Sequence, residues 1–290
     1  MDSFFNNSIS KKVLLDLYYS KLKSLNLDYN FITVETSFGD TNIVITGKES
    51  NPPLVVIHGE NSCAPVAMER LKGLDKRFRI FAIDVLGQPN LSEEVRLNTE
   101  SNDYGKWMYE IVSRLHLHNA YLVGFSFGGY ICLKSLGYDE RRFAKAFLVN
   151  PAGIIRSSWP KAFVKGYLPL MLFKIKNNNK WLKRYIKNTF SDEDVFMTDY
   201  MSTLILTYAM NSIFMPNLTK QVLETISTPI HIIASKRDYL FPGKRLIKQA
   251  EKFFPSLQHT VLLPNAKHVL NQEENNKIIK LIVEFSTTSN

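Results

Sequence analysis

Cysteine is scarce: Cys63 and Cys132 are the two in 290 residues. Two cysteines build no disulfide framework, and neither has a neighbour at a metal-binding spacing, so a reduced, cytoplasmic setting is the expectation. No apolar run approaches the ~20 residues needed to span a bilayer. The opening stretch MDSFFNNSISKKVLLDLYYSKL has Asp2 near its start and no long apolar core, which makes it a poor signal peptide. Internal repeats and low-complexity tracts are missing as well. Acidic residues are absent from one long interval: Ile154 to Phe190 holds nine Lys or Arg and no Asp or Glu. The formal net charge is +9, so the excess belongs to that interval and the remainder is neutral. No nucleic-acid-binding motif accompanies the charge, and no nucleic acid is expected. The rest is ordinary for a globular chain, with 45% apolar and 22% charged residues.

Residues 9–29 have helical spacing, with Ser10 as a cap. FITVETSFGDTNIVITG (31–47) reads as a hairpin around Gly39-Asp40. PLVVIHG (53–59) is a short continuous apolar run, the pattern of a strand buried on both faces. Similar runs occur at 78–87, 119–126, 145–153, 228–238 and 259–268. Helical stretches lie at 66–74, 103–115, 128–137, 243–254 and 273–285. This alternation predicts βαβ units in an α/β fold with a mainly parallel sheet. Ligands of such sheets sit at the carboxyl ends of the strands. Those ends deliver His58-Gly59-Glu60, Asp84, Ser126, Asn150, Asp238 and His268.

Residues 154–222 break the alternation. They are aromatic, basic and helical in pattern, with Pro160, Pro169 and Pro216 as breakers and KNNNK (176–180) as a polar break between helices. The interval is expected to form a helical cap, inserted in a core made of residues 1–153 and 223–290.

GFSFG (124–128) fits G-x-S-x-G between a strand and a helix, the context in which the pattern is informative. A turn this tight strains the serine backbone, lifts Ser126 above the sheet and needs small neighbours, here Gly124, Gly128 and Gly129. The amide of Phe127 then opens a helix and can donate to developing negative charge. A serine needs a base. His58 reads as structural, His116 and His118 lie near a helix end, His231 falls inside a strand and His259 before one. His268 alone follows the last strand and precedes the last helix. Asp238 ends another strand and can orient it. Asn150 is not acidic, and Asp84 precedes the serine. The order Ser126, Asp238, His268 is the one this kind of sheet imposes. A second oxyanion donor is expected from the loop after PLVVIHG, where the amide of Glu60 is the best candidate. Its carboxylate must point away, pair with a cap cation or restrict substrates. Cys63 lies nearby, but no partner marks it as a nucleophile.

With these residues placed, the chain resembles the α/β-hydrolase superfamily across about residues 30–290, through HG (58–59), AIDVLG (82–87), GFSFGG (124–129), SKRD (235–238) and AKH (266–268). It looks most like the capped, carboxylesterase-like branch. The resemblance implies an eight-stranded, mostly parallel sheet with one antiparallel strand, and a cap after the sixth strand. It also implies a nucleophile at Ser126, an acid at Asp238 and a base at His268. Two features depart from the pattern: QPNLS (88–92) replaces a G-x-S-x-P type turn, so nothing is carried onto it, and Glu60 stands where an apolar or aromatic residue is common.

The expected activity is cleavage of a carboxylic ester or thioester through an acyl-enzyme, with no cofactor and no metal. The apolar run YLPLMLFKI (167–175) points to a hydrophobic acyl group under the cap. In NKWLKRYIKN (179–188), Trp181, Leu182, Tyr185 and Ile186 share one helical face opposite a basic one. That face is read as solvated, with an anionic carrier or lipid surface left open as partner. A C–C hydrolase, lyase or perhydrolase on this scaffold, or a binding protein that keeps the pocket, also remains open.

Overall fold

The computed structural model describes residues 3–210 and 215–287. Its strands are β1 (Tyr29–Val34), β2 (Thr41–Thr46), β3 (Pro53–Ile57), β4 (Arg79–Ile83), β5 (Ala120–Phe125), β6 (Phe143–Val149), β7 (Ile230–Ser235) and β8 (Leu257–Leu263). They form one eight-stranded sheet in the order β1-β2-β4-β3-β5-β6-β7-β8. β2 runs antiparallel to both of its neighbours, and every other pairing is parallel. The continuous apolar runs occupy the middle of the sheet, where β3 and β5 are buried almost throughout. The edge strands β1 and β8 keep exposed residues. Alternate side chains feed opposite layers, as the pleat requires: Val55 and Ile57 join one core with Trp107 and Ile131, while Leu54 and Val56 join the other with Tyr18 and Met68.

The connecting helices are α1 (Ser8–Ser24), α2 (Ala64–Arg70), α3 (Asp103–Arg114) and α4 (Phe127–Tyr138), followed later by α10 (Gly243–Phe253) and α11 (Gln272–Thr287). α1 stops short of the expected residue 29 because Asn26 turns into the left-handed region, φ 53°. Between β6 and β7 lie α5 (Trp159–Ala162), a wider π turn over Phe163–Tyr167, α6 (Leu168–Lys176), α7 (Asn179–Thr189), α8 (Val195–Thr207) and α9 (Lys220–Thr225). Residues 211–214 of the interval expected as a cap lie outside the described residues.

Two of the three expected breakers do not break helices. Pro160 sits in the first turn of α5, where the missing N–H costs nothing, and Pro169 opens α6 directly after a helical turn. The run therefore stays helical from 159 to 176, and the π turn accommodates Pro169, whose ring excludes the usual bond to the carbonyl of Lys165. The Asn188 side chain donates to that freed carbonyl at 2.9 Å, which ties α7 to the turn. In KNNNK, Asn177 ends α6 in the left-handed region, and the Asn178 side chain caps α7.

Candidate active site

Ser126 joins β5 to α4 with φ 51° and ψ −108°, a left-handed conformation that a non-glycine residue holds only under constraint. The constraint comes from the glycines. A Cβ on Gly124 would lie 2.5 Å from the Gly128 carbonyl oxygen, and one on Gly129 would lie 2.7 Å from Pro151. A Cβ on Gly128 would strike the Ile57 carbonyl oxygen and come within 2.7 Å of that of His58. These glycines let the turn close against β3 and the β6 loop. The Phe127 ring is buried, edge-on to Tyr104 at 5.4 Å and stacked with Tyr130 at 6.2 Å.

The three side chains expected to cooperate meet at the ends of their strands. Ser126 Oγ lies 2.9 Å from His268 Nε2, and His268 Nδ1 donates to Asp238 Oδ2 at 2.7 Å. Asp238 is enclosed, and its second oxygen accepts from the amides of Leu240 (2.7 Å) and Phe241 (3.1 Å). That carboxylate is held in one orientation from both sides, and it fixes the imidazole tautomer that leaves Nε2 facing the serine.

The His268 loop is pinned from two directions. Asn150, buried at the end of β6 with φ 45°, donates through Nδ2 to the His268 carbonyl (2.9 Å) and to Ser235 Oγ (2.9 Å). Its Oδ1 accepts from the Ser235 amide at 2.8 Å. From the other side, Val269 bridges to Phe190 just beyond α7. Lys267 Nζ donates to the carbonyls of Lys187 (2.7 Å) and Phe190 (2.9 Å) at the end of the same helix.

The loop after β3 has its own bracing. His58 is buried. Its Nδ1 donates to the Gly59 carbonyl at 2.7 Å, and its Nε2 accepts from the Val85 amide at 3.0 Å. Burial lowers its pKa to about 4, so the ring is neutral and structural, as the sequence predicts. Gly59 approaches the nucleophile turn: a Cβ there would lie 3.7 Å from Ser126 Cβ. Asn61, at φ 55°, donates its amide to Gln88 Oε1 at 2.6 Å. Asn90 donates to the Val85 carbonyl (2.9 Å), and Ser92 donates to the Asp84 carbonyl (2.7 Å). The segment QPNLS, set aside in the sequence, is thus a buried polar brace for this loop. Asp84 is fully buried and accepts from Tyr18 (2.9 Å), Asn42 (2.8 Å) and the Ala64 amide (2.8 Å). Burial raises its pKa to about 6 against these donors. The charge of Glu60, added to burial, raises the pKa of Tyr104 and, with Tyr239, that of Tyr185 on α7.

The other histidines stand apart. His231 is buried in a ring stack between Phe147 (4.9 Å) and Phe285 (4.7 Å). His259 lies within β8 and stacks on Phe285 at 4.2 Å. His116 and His118 follow α3. Both cysteines are free and buried. Among the described residues, no group of three or more His, Cys, Asp or Glu is placed to hold a metal ion, and no helix is long and apolar enough to cross a membrane.

The sequence pattern of the alpha/beta hydrolase fold matches residues 52–169. The chain is 20% identical over 265 residues to "Uncharacterized carboxylesterase nap" of Bacillus subtilis, covering 87% of this chain and 85% of that protein. It is 21% identical over 258 residues to carboxylesterase YbfK of the same organism, covering 87% and 86%. The crystal structure of naproxen esterase (carboxylesterase NP) from Bacillus subtilis superposes with a TM-score of 0.84 over 97% of this chain and 100% of that one, at 18% identity. The chain is an α/β-hydrolase-fold protein. Within that class its similarities run to carboxylesterases over most of its length.

Proposed function

We propose that the chain is a serine hydrolase that cleaves a carboxylic ester or thioester through an acyl-enzyme. The observation that carries this reading is the continuous chain Ser126 Oγ, His268 Nε2 (2.9 Å), His268 Nδ1, Asp238 Oδ2 (2.7 Å), built from three separate strand-end loops. Ser126 attacks the carbonyl carbon while His268 Nε2 takes its proton. Asp238 stabilises the imidazolium, which then protonates the leaving oxygen or sulfur. Water, deprotonated by His268, releases the acid and restores Ser126. The amides of Phe127 and Glu60 hold the oxyanion. Support for Phe127 is its place as the first residue of α4, where N–H groups lack intrahelical partners. Support for Glu60 is the close approach of Gly59 to Ser126.

We read residues 154–222 as a helical cap on a core of 1–153 and 223–290, and the setting as cytoplasmic. A hydrophobic acyl group is suggested by the apolar run YLPLMLFKI (167–175), which lies in this interval. Tyr167, Met171 and Ile175 from the same run are exposed. The basic charge of the cap favours an anionic partner, either a carrier or a lipid surface.

Labelling with a fluorophosphonate probe tests the hydrolase reading. Wild type should be labelled and Ser126→Ala should not. Unlabelled native wild type would sink it in favour of a binding protein. Labelling without turnover of esters, thioesters, lactones or amides would favour a non-hydrolytic enzyme on the same scaffold.

A further inference from the structure

The helical run from Trp159 to Lys176 has two apolar sides. On one, Gly166, Pro169 and Phe173 are buried against the protein. Gly166 packs so closely on Tyr239, the neighbour of Asp238, that a Cβ there would lie 2.7 Å from the tyrosine hydroxyl. On the other, Val164, Tyr167, Met171 and Ile175 recur at intervals of three and four residues. They are 49%, 48%, 37% and 70% exposed. Trp159, 54% exposed, stands at the start of the run, edge-on to Phe163. A surface helix ordinarily turns its apolar stripe inward and presents polar residues to water. Here the outward stripe is apolar too. It is bordered by Lys161, Lys165, Lys174 and Lys176, all exposed, and no acidic residue occurs between 154 and 190.

The occupant of this face must accept apolar side chains and cations together. A second copy of the chain docked face to face would set these lysines against each other with no carboxylate from this interval between them. An anionic bilayer meets both demands: phosphate headgroups face the lysines, the acyl boundary takes Val164, Met171 and Ile175, and Trp159 and Tyr167 lie at the interface. We propose that this face docks the protein on an anionic lipid surface. The inner side of the same run rests on Tyr239, so docking sets the catalytic loop directly behind the membrane-facing helix. In naming where the substrate is met, the inference rests on the ester-hydrolase reading; the docking itself does not.

Vesicle sedimentation tests it, using the whole chain with phosphatidylcholine vesicles and with mixed phosphatidylcholine–phosphatidylglycerol vesicles. Wild type and Ser126→Ala should both sediment with the mixed vesicles, weakly or not at all with pure phosphatidylcholine, and less at high salt. Replacing one of the four lysines by Gln should weaken partitioning about fivefold, the worth of a basic residue near an anionic surface. Val164→Asp with Ile175→Asp should abolish it while leaving p-nitrophenyl butyrate hydrolysis intact. The proposal is overturned if wild type ignores the mixed vesicles or if the double Asp variant still binds them. It is also overturned if sedimentation velocity shows a dimer that the double variant dissolves. Vesicle binding without fluorophosphonate labelling would keep the docking and sink the hydrolase, and the reverse result would do the opposite.

Discussion

Asn150 donates its side-chain amide to the backbone carbonyl of His268 at 2.9 Å, across 118 positions of sequence. Its other bonds, to Ser235, tie the same point to the end of β7. Asn150 therefore holds the loop that presents the imidazole, and in the proposed mechanism it is a positioning residue. Asn150→Asp keeps the size and the tolerance of φ 45° but loses both donors. The variant should lower kcat on the order of tenfold to a hundredfold with KM little changed, because small misplacements of reacting groups are costly. Steady-state kinetics on a p-nitrophenyl ester checks this, and a variant whose kcat equals wild type would refute it.

Gly128 is the tightest of the glycines around the serine, since any side chain there meets the backbone of β3 and not a movable side-chain tip. Gly128→Ala should destabilise the fold by about 3 kcal/mol or more, beyond the usual range for overpacking, because backbone must shift. Gly73→Ala is the contrasting control. It has φ 99° but open space around its Cβ position, so only backbone strain of about 1 kcal/mol should register. Urea unfolding of the two variants should rank them in that order.

Acid should destabilise the protein partly through His231. Burial, then His259 and Lys145 nearby, lower its pKa from 6.5 to about 4, and neither ring nitrogen has a hydrogen-bond partner among the described residues. The unfolded chain thus binds a proton first. The stability conferred by the neutral ring is complete above pH 6.5 and is lost as pH falls towards 4. Asp84 works in the opposite direction between 3.8 and about 6, since its folded form binds the proton first. Comparison with His231→Phe isolates the histidine: the variant should show a smaller fall in Tm from neutral pH to about pH 4.5 by thermal melts. An equal fall would remove His231 from the account.

The eight-stranded sheet and the convergence of Ser126, Asp238 and His268 were legible because each depends on local pattern plus one topological rule. Apolar runs mark strands, and strand ends gather at one edge of the sheet. What escaped depends on contacts between distant segments. Asn150 looked informative only in not being acidic, since its partners lie on the loops of Ser235 and His268. Gln88, Asn90 and Ser92 were set aside because QPNLS departs from a familiar turn, yet their buried hydrogen bonds need no such turn. Pro160 and Pro169 read as breakers because a proline in isolation does not say whether a helix ends or begins there. The run 167–175 is one apolar stretch in sequence, and the helix divides it between buried and exposed positions.

Gln88 bears on the second oxyanion donor of the proposed mechanism. Its Oε1 accepts the amide of Asn61 at 2.6 Å, and Asn61 is held at φ 55° immediately after Glu60. If the Glu60 amide receives the oxyanion, its direction depends on this neighbouring bond. Gln88→Met fills similar space but leaves the Asn61 amide without its acceptor. The loop then loses its fixed geometry, at a stability cost of about 1–3 kcal/mol for the unpaired group. The expected kinetic result is a fall in kcat of up to about a hundredfold, the scale of losing one oxyanion donor. Fluorophosphonate labelling should slow as well, since that reaction also places negative charge on an oxygen beside Ser126. Gln88→Glu keeps an acceptor at the same position and should recover most of the labelling rate. If Gln88→Met labels as fast as wild type, the Glu60 amide is not the second donor, and the charge must be held from elsewhere around Ser126.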